Sequence, residues 1–110
     1  MPPVHRVGDI CTGHGCWPPR TAIPGPLGMC TVISSYLPIH LVGDWYMPHH
    51  CPGSSSPPHT AMGLTGAMTV IASFRPVRRI GDVLTTGGAA PLGPCFGYAI
   101  TGSPNVWAGM

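Results

Sequence analysis

Two short sequence patterns each occur three times in the chain, and this repetition restricts the fold more than any other feature. The first pattern ends in Gly-Asp and occurs as PVHRVGD at 3–9, PIHLVGD at 38–44 and PVRRIGD at 76–82. The second begins with Gly and ends in Val-Ile or Val-Trp, and it occurs as GMCTVI at 28–33, GAMTVI at 66–71 and GSPNVW at 102–107. Chains with internal repeats fold by packing copies of one small unit, so the repeat defines the architecture.

Together the two patterns form a unit of 17 residues, which spans 28–44 and again 66–82 without a gap. The third copy is split, because its first half starts at residue 102 and its second half is 3–9. We therefore expect the two ends of the chain to lie side by side and to complete one repeat. Three such units would then close into a ring.

Each unit has the pattern of a β-hairpin. The segment TVISSYLPIHLVGD at 31–44 indicates a short strand, a turn ending near the proline, and a second strand stopped by Gly-Asp. One hairpin cannot bury both of its faces, so three hairpins must pack around a shared axis. The sequence predicts a single all-β domain over 1–110, built from three pseudo-three-fold β-hairpin repeats.

The charged side chains are few, with five arginines and three aspartates and no Lys or Glu. All three aspartates end the first pattern, where the carboxylate can bond the backbone of its own turn, and we interpret them as turn residues. Five scattered arginines form a poor phosphate-tracking surface, which argues against a nucleic-acid partner. No apolar run approaches the length of a membrane span and the N-terminal segment lacks a secretory pattern, so we expect synthesis and folding in the cytosol.

Three nitrogen-bearing side chains share one position of the first pattern. His5, His40 and Arg78 occupy it, and the exchange of His for Arg suggests a solvent-facing or base-facing position that tolerates either residue. Cys30 precedes a predicted strand, where a single cysteine most often packs as a small hydrophobe. We expect no metal-ligand role at these positions.

Most metal-capable side chains lie in the three connectors between units, which are rich in Gly and Pro and span 10–27, 45–65 and 83–101. In a three-fold ring these connectors leave from the same end. His59 and Cys95 each lie 11 residues before a repeated valine, Val70 and Val106 respectively, and so hold equivalent positions. Symmetry would bring equivalent connector positions together near the axis.

A closed structural zinc site needs four nitrogen or sulfur ligands in a tetrahedral arrangement. One set that draws on all three connectors is His14, His49, His59 and Cys95. Rival ligands are His50, Cys51 and Cys16. No Cys-x-x-Cys pair accompanies them, so connectors whose histidines bind no metal are the alternative.

These residues resemble the PAAR-repeat family, small conical proteins that cap the spike of contractile injection machines such as phage tails and type VI secretion systems. The resemblance covers nearly the whole chain and rests on HRVGDICTGHGCWPPR at 5–20, HLVGDWYMPHHCP at 40–52, RRIGD at 78–82 and TGSPNVWAG at 101–109. It implies a conical domain whose connectors converge on a tip that binds one structural zinc or iron ion. The ligands implied by the matching motifs are His14, His49, His59 and Cys95, although the run VLTTGGAAPLGP before Cys95 is longer than the family pattern.

The resemblance also implies a structural rather than an enzymatic role. The protein would form the tip of the membrane-piercing central spike, preferably in a phage tail baseplate, with one copy capping a trimeric β-helical spike protein. We expect partner contacts near Val32, Val70 and Val106. The protein would be made in the host bacterial cytoplasm, assembled into the virion tail tip, and meet the target cell envelope transiently without stable membrane insertion.

Three alternatives remain at this point. The tip could belong to a type VI secretion spike, or act as an effector adaptor there. A small metallo-hydrolase would need an open metal position and a general base, and the absence of glutamate argues against it. A redox module could use Cys11, Cys16 and Cys51.

Overall fold

The computed structural model describes residues 2–13, 18–26, 28–50, 60–84 and 97–109. Its strands form two antiparallel hairpins, one of β1 (Ile33–Ser34) with β2 (Leu37–Pro38) and the other of β3 (Ile71–Ala72) with β4 (Arg75–Pro76). The described ranges contain no helix, and thus no helix long and apolar enough to cross a membrane. For this part of the chain the all-β prediction is confirmed.

Both hairpins turn through two residues in the left-handed backbone region. The φ angles are 51° and 72° at Ser35 and Tyr36, and 48° and 66° at Ser73 and Phe74. A two-residue turn with positive φ at both positions matches the right-handed twist of the flanking strands. The predicted order of strand, turn and strand is therefore confirmed in both complete units, but each second strand ends at its proline, Pro38 or Pro76, and not at the Gly-Asp pair. Each turn carries an aromatic side chain at its tip.

The Gly-Asp pairs end tight turns in which the aspartate N–H donates to the carbonyl oxygen three residues earlier. These bonds join Asp9 to Arg6, Asp44 to Leu41 and Asp82 to Arg79, each at 3.0 Å. The glycine before each aspartate has φ between 93° and 102°, as the third position of such a turn requires. Each aspartate Oδ2 also accepts the N–H that begins its turn, at 2.7 to 3.0 Å, which confirms the predicted role of the aspartates.

Backbone hydrogen bonds run in a cycle among the three copies of the first pattern. The N–H of His40 donates to the carbonyl of His5 at 3.0 Å, that of Arg78 to His40 at 3.1 Å, and that of His5 to Arg78 at 2.8 Å. Single β-bridges accompany these bonds and pair Arg6 with Ile39, Leu41 with Val77, and Arg79 with Val4. Each segment therefore contacts both of the others through equivalent positions.

The two ends of the chain meet in the same way as the strands of a hairpin. The N–H of Val4 donates to the carbonyl of Val106 at 3.0 Å, and that of Ala108 to Pro2 at 3.1 Å. Inside the two complete units the equivalent bonds join Ile39 to Val32 and Val77 to Val70, both at 3.0 Å. The prediction that the ends lie side by side is confirmed.

Two clusters of buried apolar side chains form the core. The first comes from the repeated units and contains Val4, Cys30, Ile39, Leu41, Ala67, Val77 and Ala108. The second comes from the connectors and contains Cys11, Ala22, Tyr46, Ala61 and Leu84. All three connectors contribute to this second cluster, so their described parts pack together, and Cys30 is buried as predicted.

Candidate functional site

Of the four predicted metal ligands, the structure describes only His49. The remaining ligands and two of the rivals lie outside the described residues, namely His14, His59, Cys95, Cys16 and Cys51. Within the described ranges, no three metal-capable side chains come together. The ligand set therefore stays a prediction.

His49 has the geometry of a histidine oriented for binding. It is 6% exposed, and its Nδ1 donates to the carbonyl oxygen of Pro18 over 2.7 Å. Because a carbonyl can only accept, the proton of the neutral ring lies on Nδ1 and the lone pair on Nε2. Metal-binding histidines commonly have this arrangement, in which a backbone oxygen orients the ring. His49 is thus held with Nδ1 on a backbone carbonyl, and the rival His50 is exposed.

The three residues at the shared position of the first pattern meet inside the protein. The prediction of a solvent-facing or base-facing position is wrong, since His5, His40 and Arg78 are all 0% exposed. The physical reason is the backbone cycle, which holds the three positions side by side and leaves their side chains one shared interior space. Tyr46, also fully buried, stacks on His5 with ring centroids 5.8 Å apart and lies 4.9 Å from His40.

Arg78 is a buried cation whose N–H groups are all used. A guanidinium has five N–H donors in one plane. The acceptors are the carbonyl oxygens of Thr65, Asp82 and Val83 at 3.0 to 3.1 Å, Nδ1 of His40 at 3.3 Å, and the hydroxyl of Tyr46. Because none of these is a carboxylate, full hydrogen bonding to neutral groups is what compensates for the desolvation of the charge.

The same network fixes the tautomers of both histidines. His5 Nδ1 donates to the carbonyl of Thr101 at 2.7 Å, so its Nε2 accepts from the hydroxyl of Tyr46 at 2.8 Å. His40 Nε2 donates to a backbone carbonyl 2.9 Å away, so its Nδ1 accepts from Arg78. Both rings are neutral in this arrangement. A proton added to His40 Nδ1 would face an N–H of Arg78, and one added to His5 Nε2 would take away the acceptor to which the Tyr46 hydroxyl donates.

Burial determines the acid–base behaviour of this cluster. It lowers the pKa of His5 to about 4 and that of His40 well below its ordinary value, and the charge of Arg78 acts in the same direction on both. Burial also raises the pKa of Tyr46 to about 12. The cluster is thus neutral apart from one guanidinium and closed to solvent, and it fills the space between the three segments.

The three acidic side chains of the chain are each paired with an arginine. The pairs are Arg6 with Asp9 at 2.8 Å, Arg75 with Asp44 at 2.7 Å, and Arg79 with Asp82 at 3.0 Å. Burial would raise the pKa of Asp9, but hydrogen bonds from Arg6 and Thr101 outweigh it and hold that pKa below its ordinary value. Arg75 comes from β4 and reaches the turn of the preceding unit, so its pair also joins two units.

The repeated units expose much apolar surface. The predicted partner-binding residues Val32, Val70 and Val106 are 44%, 37% and 38% exposed, so equivalent positions have similar accessibility. Tyr36 and Phe74, at the hairpin tips, are almost fully exposed. Other large apolar side chains exposed in these units are Met29, Ile33, Met68, Ile71 and Trp107. Exposed apolar surface of this extent is typical of a docking face.

No protein-family model matches the chain, and a comparison with curated proteins finds no match. Functional inference therefore depends on the contacts that the chain itself makes. Sequence reasoning missed two of these features, the interior cluster around Arg78 and a second buried arginine, Arg20. A signal for the first was present, because equivalent positions of a ring converge on its axis.

Proposed function

We propose that this protein is the structural tip of the membrane-piercing central spike of a contractile injection machine, preferably a phage tail baseplate. It would be a conical domain of three repeats, and one copy would cap a trimeric β-helical spike protein. The observation that carries this proposal is the cycle of backbone hydrogen bonds through His5, His40 and Arg78. A single chain with three equivalent segments can meet each subunit of a three-fold partner through the same kind of contact.

The exposed valines supply the proposed docking face. Val32, Val70 and Val106 follow one another around the ring, because each accepts the equivalent backbone bond from the second half of its unit. Their similar exposure leaves three matching apolar patches, one for each subunit of the partner. Burial of apolar surface stabilises such an interface by roughly 25 cal/mol for each Å² removed from water.

We further propose one structural metal ion at the opposite end, with zinc preferred and iron as the alternative. The ligands would be His14, His49, His59 and Cys95. The support from the described residues is the orientation of His49 by Pro18, together with the connector cluster, to which all three connectors contribute. A bound metal would hold the connectors together at the apex, and part of its binding free energy would be free energy of folding.

A structural role also agrees with the electrostatics. All three carboxylates are paired with arginines, and the histidines of the interior cluster are buried. We therefore propose a protein without enzymatic activity, made in the host bacterial cytoplasm and assembled into the virion tail tip. A type VI secretion spike is the alternative setting, and the same docking face would serve it.

Mass spectrometry of purified phage particles tests the setting. We expect the chain at about one copy for every three spike subunits, far below the copy number of the tail-tube protein. Its absence from particles whose spike is present would contradict the phage assignment.

The docking face is tested by introducing one charge into it. In particles assembled with Val70→Asp we expect the protein to be lost, because a carboxylate would be buried without a partner in the interface. Leu64→Asp, at an exposed connector position, is the matched control and should be incorporated normally. Circular dichroism on both purified variants establishes that they fold, and equal incorporation of the two would refute this docking face.

A further inference from the structure

Arg20 is a second buried arginine, and it lacks the acceptors that Arg78 has. It is 3% exposed, and its Nε and Nη1 are buried with no hydrogen-bond partner among the described residues. Its guanidinium carbon lies 5.8 Å from the centroid of the Tyr46 ring, much as that of Arg78 lies 5.5 Å away. An aromatic ring interacts with the face of a guanidinium, whereas the N–H groups point outward in its plane and still need acceptors.

The chain has no acidic side chain left to pair with Arg20. Its three aspartates are each bound to another arginine. Arg78 shows how this fold compensates a buried guanidinium from within, through five neutral acceptors. A buried donor without such partners points to a water or an ion that completes it. Among the residues that the structure describes, none supplies acceptors to Nε and Nη1 of Arg20.

A cleft gives an external ligand access to this arginine. It has a volume of ≈ 360 Å³ and lies between residues 18–21 and 47–50, with Arg20 in its wall. Two hydrogen bonds to Cys11 hold the backbone of the arginine in place. Arg20 N–H donates to the Cys11 sulfur at 3.3 Å, and the Arg20 carbonyl accepts from the Cys11 N–H at 2.9 Å. Prolines and a methionine form much of the remaining wall, and apolar surroundings strengthen the attraction between a cation and an anion.

We propose that this cleft binds a phosphate-type oxyanion, free or as the headgroup of a lipid, with Arg20 as its main donor. Thr21 and His50 also line the cleft, so both segments of its wall contribute polar residues. That arrangement suits a tetrahedral oxyanion, which offers acceptor oxygens in several directions, and the planar guanidinium is well matched to phosphate. This anion site is separate from the proposed spike function, because it depends on the N–H groups of Arg20 and not on the docking valines or on a bound metal.

The first test is made on the unmodified protein, by following arginine Nε–H signals in NMR spectra during titration with inorganic phosphate. We expect one signal to shift saturably, and we expect that signal to be missing from the spectrum of Arg20→Lys. Sodium chloride at equal ionic strength should leave it unchanged. If no arginine signal shifts, or if the shifting signal belongs to another arginine, the proposal is wrong.

The second test compares phosphate affinities by calorimetry. Arg20→Met should weaken binding by about ten- to hundredfold, as expected for the loss of charge-assisted hydrogen bonds. Tyr36→Ser, at a hairpin tip outside the cleft, should bind like the unmodified protein. Should Arg20→Met fail to fold, Arg20→Lys serves in its place with a smaller loss. Unchanged affinity in the folded Arg20 variant would overturn the assignment.

Vesicles distinguish the two sources of the oxyanion. If phosphatidic acid vesicles bind more tightly than phosphatidylcholine vesicles, and inorganic phosphate competes, the ligand is a lipid headgroup. If inorganic phosphate binds and both vesicle types do not, the ligand is the free anion. Either result supports the site, and failure of both probes refutes it even if the spike function is established by particle analysis.

Discussion

Replacing His5 by glutamine should remove much of the acid sensitivity of this fold between pH 6.5 and pH 4. Burial lowers the pKa of His5 from 6.5 to about 4 in the folded protein, and the charge of Arg78 contributes in the same direction. Within this window the unfolded chain takes up a proton that the folded chain refuses. The free energy of unfolding therefore falls as the pH falls, and the stabilisation from the neutral His5 is lost by about pH 4.

The size of the effect follows from the shift. Each pKa unit corresponds to about 1.4 kcal/mol, so His5 accounts for about 3 kcal/mol of stability present at pH 7 and lost by pH 4. The paired aspartates affect stability at lower pH. The pKa of Asp9 is held below its ordinary value of 3.8, so the stabilisation from its carboxylate is lost only below that pH. The two effects are therefore separable.

The assay is urea unfolding at several pH values between 7 and 4, for the unmodified protein and for His5→Gln. The glutamine can keep the bond from Tyr46 but not all contacts of the ring, so we expect the variant to be less stable at pH 7 by about 1–3 kcal/mol. Its loss of stability on acidification should be smaller than that of the unmodified protein by about 3 kcal/mol. Any metal lost on acidification affects both proteins and cancels in this difference.

His50→Gln is the matched control, because it removes an exposed imidazole from the same chain. It should keep the full pH dependence of the unmodified protein. If His5→Gln and the unmodified protein lose stability in parallel, burial of His5 does not contribute to the acid sensitivity and the reasoning fails.

Three further outcomes are expected. Gly63→Ala should destabilise the protein by about 1–3 kcal/mol in thermal or urea unfolding, because the new methyl group would overlap Cδ of Arg78. Gly97→Ala should cost less, because the nearest atom to its methyl group would be 3.4 Å away. Equal losses of stability in the two variants would contradict this reasoning. Arg78→Met should cost at least about 3 kcal/mol, since it leaves several buried acceptors without donors, and a stable variant would show that the network is dispensable. Elemental analysis should find one zinc or iron ion per chain, lost together with thermal stability in His59→Ala and Cys95→Ser, and a folded protein without metal would refute the apex site.

The parts of the fold that sequence predicted are those determined by local chemistry and by repetition. The left-handed glycine and the carboxylate of each Gly-Asp turn act on backbone groups only three residues away, so Asp44 could be assigned without knowing the rest of the fold. Val4 and Val106 are far apart in sequence, yet the split repeat predicts their contact. The two complete units show which residues of the first and second halves pair, and the same pairing applies to the split copy.

The interior cluster was harder to predict, because the chemical type of a residue does not by itself reveal whether it is buried. Histidine and arginine usually remain near water, and the hydrogen bonds of the network through Tyr46 offset the free-energy cost of burying them. That tyrosine lies in a connector, and nothing in its own sequence context reveals which units it reaches. Arg20 was missed for the same reason, since its burial depends on the packing of connectors rather than on a local pattern.

The seam between the two ends of the chain has a consequence for the order of folding. A growing chain can form both complete hairpins early, but the ring cannot close until Val106 has been synthesised and meets Val4. The last step joins residues nearly a whole chain length apart, and such distant closure slows folding. A circular permutant that links residue 109 to residue 2 and opens the chain in a connector would turn this seam into an ordinary hairpin. This permutant should fold faster than the unmodified protein.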